Sequence, residues 1–258
     1  MKKLFLTVIF AVLMAFTLSA LTPAEVLEKA RTQANIKTMA SEADVNIQQP
    51  VGKTIEILKL RQYVGKNADG LQSTMIILRG PAKHKGTRFL MIERKDGSTD
   101  QRVFLPSFGK TRRITAESEG SSSFFGTDFS YNDMAFMSRN VNLDEHSFLP
   151  EENYNGEDCF VIQSIPKDKK EAYSKSVCKV AKKDYRLLCA EFYNKDGEAV
   201  KLIECLDYKN INGVMTPMNL KMTTKTTNTS TVISIKNIQY GLTIPNEIFT
   251  TRYLETGR

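Results

Sequence analysis

Asx-Gly dipeptides recur between apolar runs along this chain, at Asp69-Gly70, Asp96-Gly97, Asn155-Gly156, Asp196-Gly197 and Asn212-Gly213. Such a pair is a strong short-range signal for a β-hairpin, because Gly and Asx residues tolerate the positive φ that tight turns need. Each hairpin joins two neighbouring antiparallel strands. These turns therefore constrain the chain to an antiparallel β fold more tightly than any other feature of the sequence.

The apolar runs around the turns have the length and composition of strands. We predict eleven, at Thr54 to Tyr63, Leu71 to Arg79, Arg88 to Arg94, Gln101 to Leu105, Lys110 to Thr115, Cys159 to Ile165, Lys175 to Ala181, Arg186 to Tyr193, Ala199 to Tyr208, Val214 to Thr224 and Thr231 to Tyr240. Strands that follow one another without intervening helices argue against βαβ units. The fold class predicted is mainly β (α+β), with about eleven strands in one large antiparallel sheet or an open barrel.

Side-chain alternation indicates which strand faces are buried. One strand alternates apolar or small residues with polar Asn219 and Lys221, which predicts one buried face, at Val214, Thr216, Met218, Leu220 and Met222. In contrast, residues 75–78 and 89–92 are apolar at consecutive positions. Those central strands must be covered on both sides, or must face a cavity on one side.

The first twenty residues have the three parts of a secretory signal peptide. Lys2 and Lys3 precede an apolar run over residues 4–18, and Ser19-Ala20 supplies small residues at the exit. The run is short for a membrane span. We therefore expect cleavage after Ala20, export to the periplasm and a single domain over residues 21–258 that is not integral to the membrane.

Composition adds two exclusions. The formal charge is +7, and it falls to +5 once Lys2 and Lys3 are removed, which is too diffuse to indicate nucleic-acid binding. Trp is absent and His occurs twice, so His-rich metal clusters are excluded and few groups are suited to general base catalysis near neutral pH.

Thr22-Pro23-Ala24-Glu25 predicts the start of a helix. Thr22 is a good N-cap, Pro23 suits the first helical position, and Glu25 completes a capping box. We expect this helix to pack an apolar face that includes Val26 and to end near Met39.

Four cysteines, Cys159, Cys178, Cys189 and Cys205, would meet an oxidising compartment after export. There is no C-x-x-C, so neither a thioredoxin-type motif nor a standard zinc site is indicated. Structural disulfides are the expectation. A hairpin at Asp196-Gly197 favours Cys189–Cys205, and a loop around Pro166 to Glu171 favours Cys159–Cys178. The third option, Cys178 opposite Cys189 across Lys183-Asp184, would leave the other two cysteines far apart in a simple meander.

The connection over residues 116–149 lacks strand alternation and is rich in aromatic residues and Met. Ser130 with Asp133 indicates a cap for a short helix from Tyr131 to about Arg139. An irregular connection this long is usually a lid or a binding loop, and its apolar content means that it packs on apolar surface. A helix that plugs the end of a filled core is the alternative interpretation.

Motifs of enzyme chemistry are missing from the sequence. There is no G-x-S-x-G elbow, H-E-x-x-H, P-loop or G-x-G-x-x-G. A calcium loop starting at Asp128 would need Gly at Asp133 and Glu at Arg139. We expect His84 and His146 on the solvated surface, no metal, no cofactor and no enzymatic activity.

Basic residues cluster at Arg102, Lys110, Arg112 and Arg113. Arg suits the binding of phosphate or carboxylate groups, so a lipid headgroup or an acidic partner is one interpretation. An exposed charged strand that blocks edge pairing is the other. Interleaved aromatic residues for base stacking are missing there.

Two sequence blocks resemble the LolA-like outer-membrane lipoprotein-sorting proteins. Residues 105–114 resemble a YLP–GK–RRI block, and residues 124–134 resemble an FMGTDFSYEDL block. The opening at residues 21–27 and the ending at residues 244–250 also match, so the similarity spans nearly the whole exported chain. The chain differs from these proteins in lacking Trp and in having four Cys.

The resemblance implies an incomplete, strongly curved antiparallel barrel, with helices over its open mouth and a hydrophobic cavity for acyl chains. It also implies a partner, an inner-membrane lipid-exporting transporter of the resistance-nodulation-division type. We expect the cavity or its lid to include Phe124, Phe125, Phe129, Tyr131, Met134, Phe136, Met137, Met75, Ile77, Phe89, Met91, Met218, Leu220 and Met222.

Three functional hypotheses follow. The first is a periplasmic carrier that binds lipid or lipoprotein acyl chains and delivers them toward the outer membrane by mass action. The second is an envelope interaction module that partners a lipid-exporting transporter and has no ligand cavity. The third is an enzyme acting on envelope lipids, which would need a polar cluster around His146 or Asp128 inside a cleft.

Overall fold

The computed structural model describes residues 21–32, 37–115, 119–137 and 139–258. The predicted signal peptide, residues 1–20, lies outside the described residues. Within these ranges, none of the helices has the length and apolar character that crossing a membrane requires.

Thirteen strands form the body of the protein. Their bounds are β1 Met39–Gln48, β2 Thr54–Lys66, β3 Gln72–Gly80, β4 Arg88–Glu93, β5 Thr99–Leu105, β6 Lys110–Ile114, β7 Asp144–Tyr154, β8 Glu157–Pro166, β9 Lys175–Ala181, β10 Leu187–Tyr193, β11 Ala199–Ile211, β12 Val214–Thr224 and β13 Thr229–Tyr240. Three α-helices accompany them: α1 Pro23–Thr32, α2 Tyr131–Met137 and α3 Thr251–Thr256. Short 3₁₀ helices lie at Val141–Leu143 and Asn246–Phe249.

All thirteen strands belong to one antiparallel sheet, in the order β6-β5-β4-β3-β2-β1-β13-β12-β11-β10-β9-β8-β7. The order is a meander except where β1 pairs with β13 and so joins the two halves of the chain. The first and last strands in this order, β6 and β7, do not pair with each other. The prediction of an incomplete antiparallel barrel is confirmed.

The sheet is curved, because strands that are far apart in its order line one cavity. Ile76 and Leu78 of β3 face the same space as Thr216 and Leu220 of β12, although three strands separate β3 from β12. We call the face that borders this space the inner face, and the opposite one the outer face.

The prediction of eleven strands was two short. β1 was missed because no Asx-Gly turn flanks it, and the predicted helix overlaps it only at Met39. β7 was missed because it is an edge strand with mostly exposed polar residues and little alternation. The glycines of the five predicted hairpins do have positive φ, such as 84° at Gly97 and 85° at Gly156.

The capping box at the start of α1 is confirmed. The backbone N–H of Thr22 donates to the Glu25 carboxylate at 2.7 Å, and the N–H of Glu25 donates to Thr22 Oγ1 at 3.2 Å. The first hydrogen bond holds the pKa of Glu25 below its ordinary value. Val26, fully buried, packs with Ile162 and Val180, which places α1 against β8 and β9.

The central strands are covered on both faces, as their consecutive apolar residues predicted. The inner-face core contains Ile76, Leu78 and Phe89 together with aromatic residues of the connection after β6. The outer-face core contains Met75 and Leu90, which the C-terminal segment covers with Phe249 and Leu254.

Candidate ligand-binding site

Two apolar cavities lie on the inner face of the sheet. Compartment I has a volume of about 280 Å³ and is lined by strands β1, β2, β3, β12 and β13, with residues that include Val45, Leu58, Ile76, Leu78 and Ile233. Compartment II has a volume of about 300 Å³ and lies between α1, α2 and the strands of the second half, with residues that include Leu27, Leu187, Ala190 and Ile203. Met137 and Leu220 line both compartments, so the two cavities adjoin there.

The lid segment, residues 119–137, covers these compartments. Phe124 and Phe129 form the base of a tight turn, in which the N–H of Phe124 donates to the Phe129 carbonyl at 2.7 Å. Phe125 has φ 51° and Gly126 has φ 81°, both in the left-handed region. The turn therefore directs Phe124 and Phe129 into compartment I and leaves Phe125 half-buried at its side.

Asp128 fastens the turn to the end of the β12–β13 hairpin. Its buried carboxylate accepts hydrogen bonds from the hydroxyls of Thr224, Thr229 and Thr231, and its N–H donates to Thr231 Oγ1 at 2.8 Å. Since the carboxylate is occupied by hydroxyl donors, its role here is structural. The threonine-rich sequence around residue 227 gave no signal that it would hold the lid.

Asp133 fastens the following helix. Its carboxylate accepts from the N–H of Ser130 at 2.7 Å, and its own N–H donates to Ser130 Oγ at 3.1 Å, which confirms the predicted cap of α2. The same carboxylate, fully buried, pairs with Lys201 of β11 and accepts from the Tyr173 hydroxyl. Burial and the Asp133 charge raise the pKa of Tyr173. Lys201 and Tyr173 were not predicted from the sequence as partners of Asp133.

The predicted lid residues occupy three environments. Met134 lines compartment I with Phe124 and Phe129, Phe136 lines compartment II, and Met137 lines both. Tyr131 instead packs in the core, with its ring centroid 5.6 Å from that of Phe124 and 5.7 Å from that of Phe89. Burial raises the pKa of Tyr131 to about 12.

The predicted strand residues divide between the two faces. Leu220 lines both compartments, while Phe89, Met91 and Met222 are buried in the inner-face core beside them. Met218 is half-buried and does not line either compartment.

The prediction for Met75 and Ile77 is wrong. Both belong to the outer-face core, where the C-terminal segment covers them, and their neighbours Ile76 and Leu78 line compartment I instead. Ile76 pairs with Phe89 across β3 and β4, which fixes the two residues on one face. A run that is apolar at every position carries no information about which alternate residues point inward.

A polar cleft of about 420 Å³ adjoins compartment II. It shares Phe136 and Arg139 with that compartment and is lined mostly by polar residues, among them Arg94, Gln101 and Arg113. Arg139 is held by ion pairs with Asp144, at 2.9 Å, and with Glu171. The hydrogen bonds in these pairs raise the pKa of Arg139 against the opposing effect of burial. The cleft and the compartment thus place charged and apolar walls side by side.

His146 lies at the edge of compartment II and not on the solvated surface as predicted. Its Nε2 is 2.8 Å from the Val141 carbonyl, and its Nδ1 is 2.8 Å from Ser164 Oγ. A carbonyl only accepts, so Nε2 carries a proton that it donates to Val141. His84 is also less exposed than predicted, with its ring centroid 6.1 Å from that of Phe125, and burial lowers its pKa.

The four basic residues predicted as one cluster lie on two faces. Arg102 pairs directly with Arg113 across β5 and β6, and both contact the buried Asp100, at 3.0 Å each. Arg112 lies opposite Val103 of the inner-face core and pairs with Glu119 at 2.7 Å. Lys110 is exposed at the start of β6. β6 is an edge strand, which agrees with the interpretation that its charges block edge pairing.

The disulfide prediction is wrong, since all four cysteines are free thiols. Cys159 lies opposite Ala181, three residues from Cys178, and Cys189 lies opposite Glu204, next to Cys205. Side chains alternate between the two faces along a strand, and these separations of three residues and one residue are both odd. The members of each favoured pair therefore lie on opposite faces of the sheet. Cys178 and Cys205 line compartment II, while Cys159 packs with Ala181 in a separate outer cluster. A search of the described residues finds no group of His, Cys, Asp and Glu side chains arranged to hold a metal ion.

Solved structures with this fold define its class. A DUF1329 family protein from Desulfovibrio piger is 25% identical, with a TM-score of 0.83 over 90% of this chain and 97% of that chain. A domain provisionally assigned to outer membrane lipoprotein sorting, from Vibrio parahaemolyticus, is 23% identical, with a TM-score of 0.82 over 90% and 98%. A LolA superfamily protein from Nitrosomonas europaea is 22% identical, with a TM-score of 0.72 over 91% and 100%. The LolA-like fold that the two sequence blocks implied is confirmed.

The family assignment rests on a sequence model. The model that matches residues 70–256 is described only as that of an uncharacterized protein, and this chain belongs to that family. No curated protein sequence matches the chain significantly.

Proposed function

We propose that this protein is an exported periplasmic carrier, which shields acyl chains of a lipid or lipoprotein in compartments I and II. The observation that carries the proposal is the meeting of two apolar cavities at Met137 and Leu220, beneath a lid segment. Volumes near 300 Å³ each are typical of small-molecule sites. The LolA-like fold supports the same function.

The carrier acts by mass action and needs no catalytic residue. Each methylene that leaves water for an apolar cavity contributes about 0.8 kcal/mol, so a long acyl chain is bound tightly without covalent chemistry. Release then requires a partner that binds the chain more tightly, for which a lipid-exporting transporter or an outer-membrane acceptor is the candidate.

The polar cleft beside compartment II is the proposed place for the headgroup. An amphiphile with its chain in compartment II meets Arg139 at the shared wall, and Arg94 and Arg113 lie beyond it. A guanidinium group suits phosphate or carboxylate oxygens. Arg139 is paired with two carboxylates, those of Asp144 and Glu171, and is mostly buried. Arg113 is paired with Asp100 and its side chain is much more exposed, so it is the better candidate for a headgroup contact.

The direct test is to extract the protein after purification and to identify bound lipids by mass spectrometry. A fluorescent fatty acid then measures affinity in wild type and in Leu220→Trp, which fills the junction of the compartments. We expect lipid in the wild-type extract and an affinity at least about tenfold lower in the variant, since several methylenes lose their site. Phe148→Trp, at an exposed position of β7 that lines neither compartment, is the control and should change the affinity less than twofold.

Absence of both extracted lipid and probe binding from folded wild-type protein would contradict a carrier. That result would instead favour the interaction module, in which the sheet recruits a partner and the compartments have no ligand.

A further inference from the structure

Four turns lie side by side at one end of the first half of the sheet. They are residues 49–53 and 225–228, which flank the β1–β13 pair, and residues 81–86 and 106–109, which follow β3 and β5. The N–H of Val51 donates to the Asn228 carbonyl at 3.1 Å, and Gly86 packs against the ring of Pro106. We call these turns, with the adjoining residues 54–57 and 110, the basic rim.

The basic rim carries most of the exposed large apolar side chains in the described part of the chain. Among the described residues, six large apolar side chains are exposed, and four of them lie here: Val51 at 38%, Ile55 at 54%, Ile57 at 46% and Phe108 at 72%. Phe108 stands at the tip of its turn. Exposed apolar residues scattered singly are normal, but two on neighbouring turns and two at the adjoining start of β2 form a surface that needs an explanation.

The charges of the rim are predominantly positive. Lys53, Lys85 and Lys110 are exposed and form no ion pair with any described residue. The rim sequences contain a single carboxylate, that of Glu56, which pairs with Lys83 at 2.9 Å. Behind the turns, exposed Lys59 and Arg79 add further positive charge.

We propose that the basic rim docks the protein on the surface of an anionic phospholipid bilayer. Apolar side chains at the tips would enter the boundary between headgroups and acyl chains, while the lysines contact lipid phosphates. Val51 and Phe108 project from two separate turns, whereas Ile55 and Ile57 lie along β2, so the apolar side chains form a discontinuous surface. A fluid bilayer accommodates such an arrangement, whereas a folded acidic protein would have to match its shape.

The inference does not rest on the acyl cavity, since the rim side chains it uses lie outside both compartments. Binding of a soluble fatty acid probe therefore reports on the carrier, and binding of vesicles reports on the rim. The two proposals can fail separately.

The experiment measures partition of the full chain onto vesicles of equal parts phosphatidylglycerol and phosphatidylcholine, and onto phosphatidylcholine alone. The ratio of the two partition coefficients is the readout, because the apolar N-terminal segment is common to all variants. We expect wild type to favour the anionic vesicles, and the triple change Lys53→Glu, Lys85→Glu and Lys110→Glu to lower that preference about 100-fold. Phe108→Ser should weaken binding to anionic vesicles about tenfold.

Matched controls carry the same chemical changes elsewhere. Lys170, Lys183 and Lys209 are exposed and lie outside the rim, so their joint replacement by Glu changes net charge equally. Phe148→Ser removes an exposed aromatic side chain, at 42% exposure, from the β7 edge. Both controls should stay within about threefold of wild type, and circular dichroism should show that every variant is folded.

Two results would overturn the proposal. One is wild-type protein that does not prefer anionic vesicles at low salt, which would make an acidic protein the better partner. The other is an equal loss in the rim variant and in the control with three substitutions, because net charge alone would then explain binding.

Discussion

Asp133 is the residue on which the position of the lid depends. Its buried carboxylate joins the cap of α2 to Lys201 in the sheet and to the Tyr173 hydroxyl in the loop before β9. A charged group in the interior is tolerated only when it is paired and hydrogen-bonded. Removal of one partner therefore leaves an uncompensated charge beneath the lid.

We predict that Lys201→Met lowers the free energy of unfolding by about 3 kcal/mol, because Asp133 is then buried without its cation. Urea denaturation gives the value. Lys236→Met, which breaks an exposed pair with Asp44 at 3.6 Å, is the matched control and should cost less than about 1 kcal/mol. Equal losses in the two variants would show that the Asp133 pair does not fix the lid.

Cys178 and Cys205 line compartment II, so their reactivity measures how well this cavity excludes water. Burial in this apolar space raises the pKa of Cys178 and of Cys205 to about 12. A raised thiol pKa keeps the neutral, unreactive form to higher pH, since the thiolate is the nucleophile.

We predict that alkylation of Cys178 and Cys205 in the folded protein rises about tenfold per pH unit through pH 10, without levelling off. Iodoacetamide labelling followed by peptide mass spectrometry measures each rate. In urea the same thiols should level off near their ordinary pKa, and an acyl ligand should slow labelling of the folded protein. A plateau near pH 9 in folded protein would place these thiols in water instead.

The two halves of the sheet are in contact where the β4–β5 turn meets the 3₁₀ helix Val141–Leu143. Gly97 has φ 84°, and a Cβ there would lie 2.8 Å from Leu143 Cδ1. The turn conformation and the close approach therefore both require glycine.

We predict that Gly97→Ala lowers the free energy of unfolding by about 3 kcal/mol, from strain at positive φ and from overpacking against Leu143. Gly156→Ala is the control, because it has φ 85° with nothing within 4 Å, and should cost about 1 kcal/mol. Both are measured by urea denaturation. If Leu143→Ala restores no stability to Gly97→Ala, the contact is not the cause of the loss.

The sequence predicted correctly those elements that are specified by residues close together in the chain. The cap of α1, the cap of α2 and the hairpin turns follow from side chains within a few residues of one another. β7 escaped prediction because an exposed edge strand has no buried face to impose alternation. Met75 was assigned to the wrong face because its neighbours are equally apolar.

Across the whole molecule, strand order decides which distant residues meet. Pairing of β1 with β13 closes the two halves around compartment I, and it brings the β12–β13 turn next to the lid turn at Asp128. The order also leaves β6 and β7 as separate edges. These features depend on residues more than a hundred positions apart.

The sequence by itself determined the antiparallel sheet, the turns, both helix caps and the LolA-like fold, since these follow from local backbone preference, side-chain hydrogen bonds and two specific sequence blocks. Only the tertiary structure decided the inward face of β3, the Lys201 and threonine partners of the lid, the free thiols and the basic rim. A side chain that points inward or outward differs by one residue of register, and register is fixed by non-local pairing.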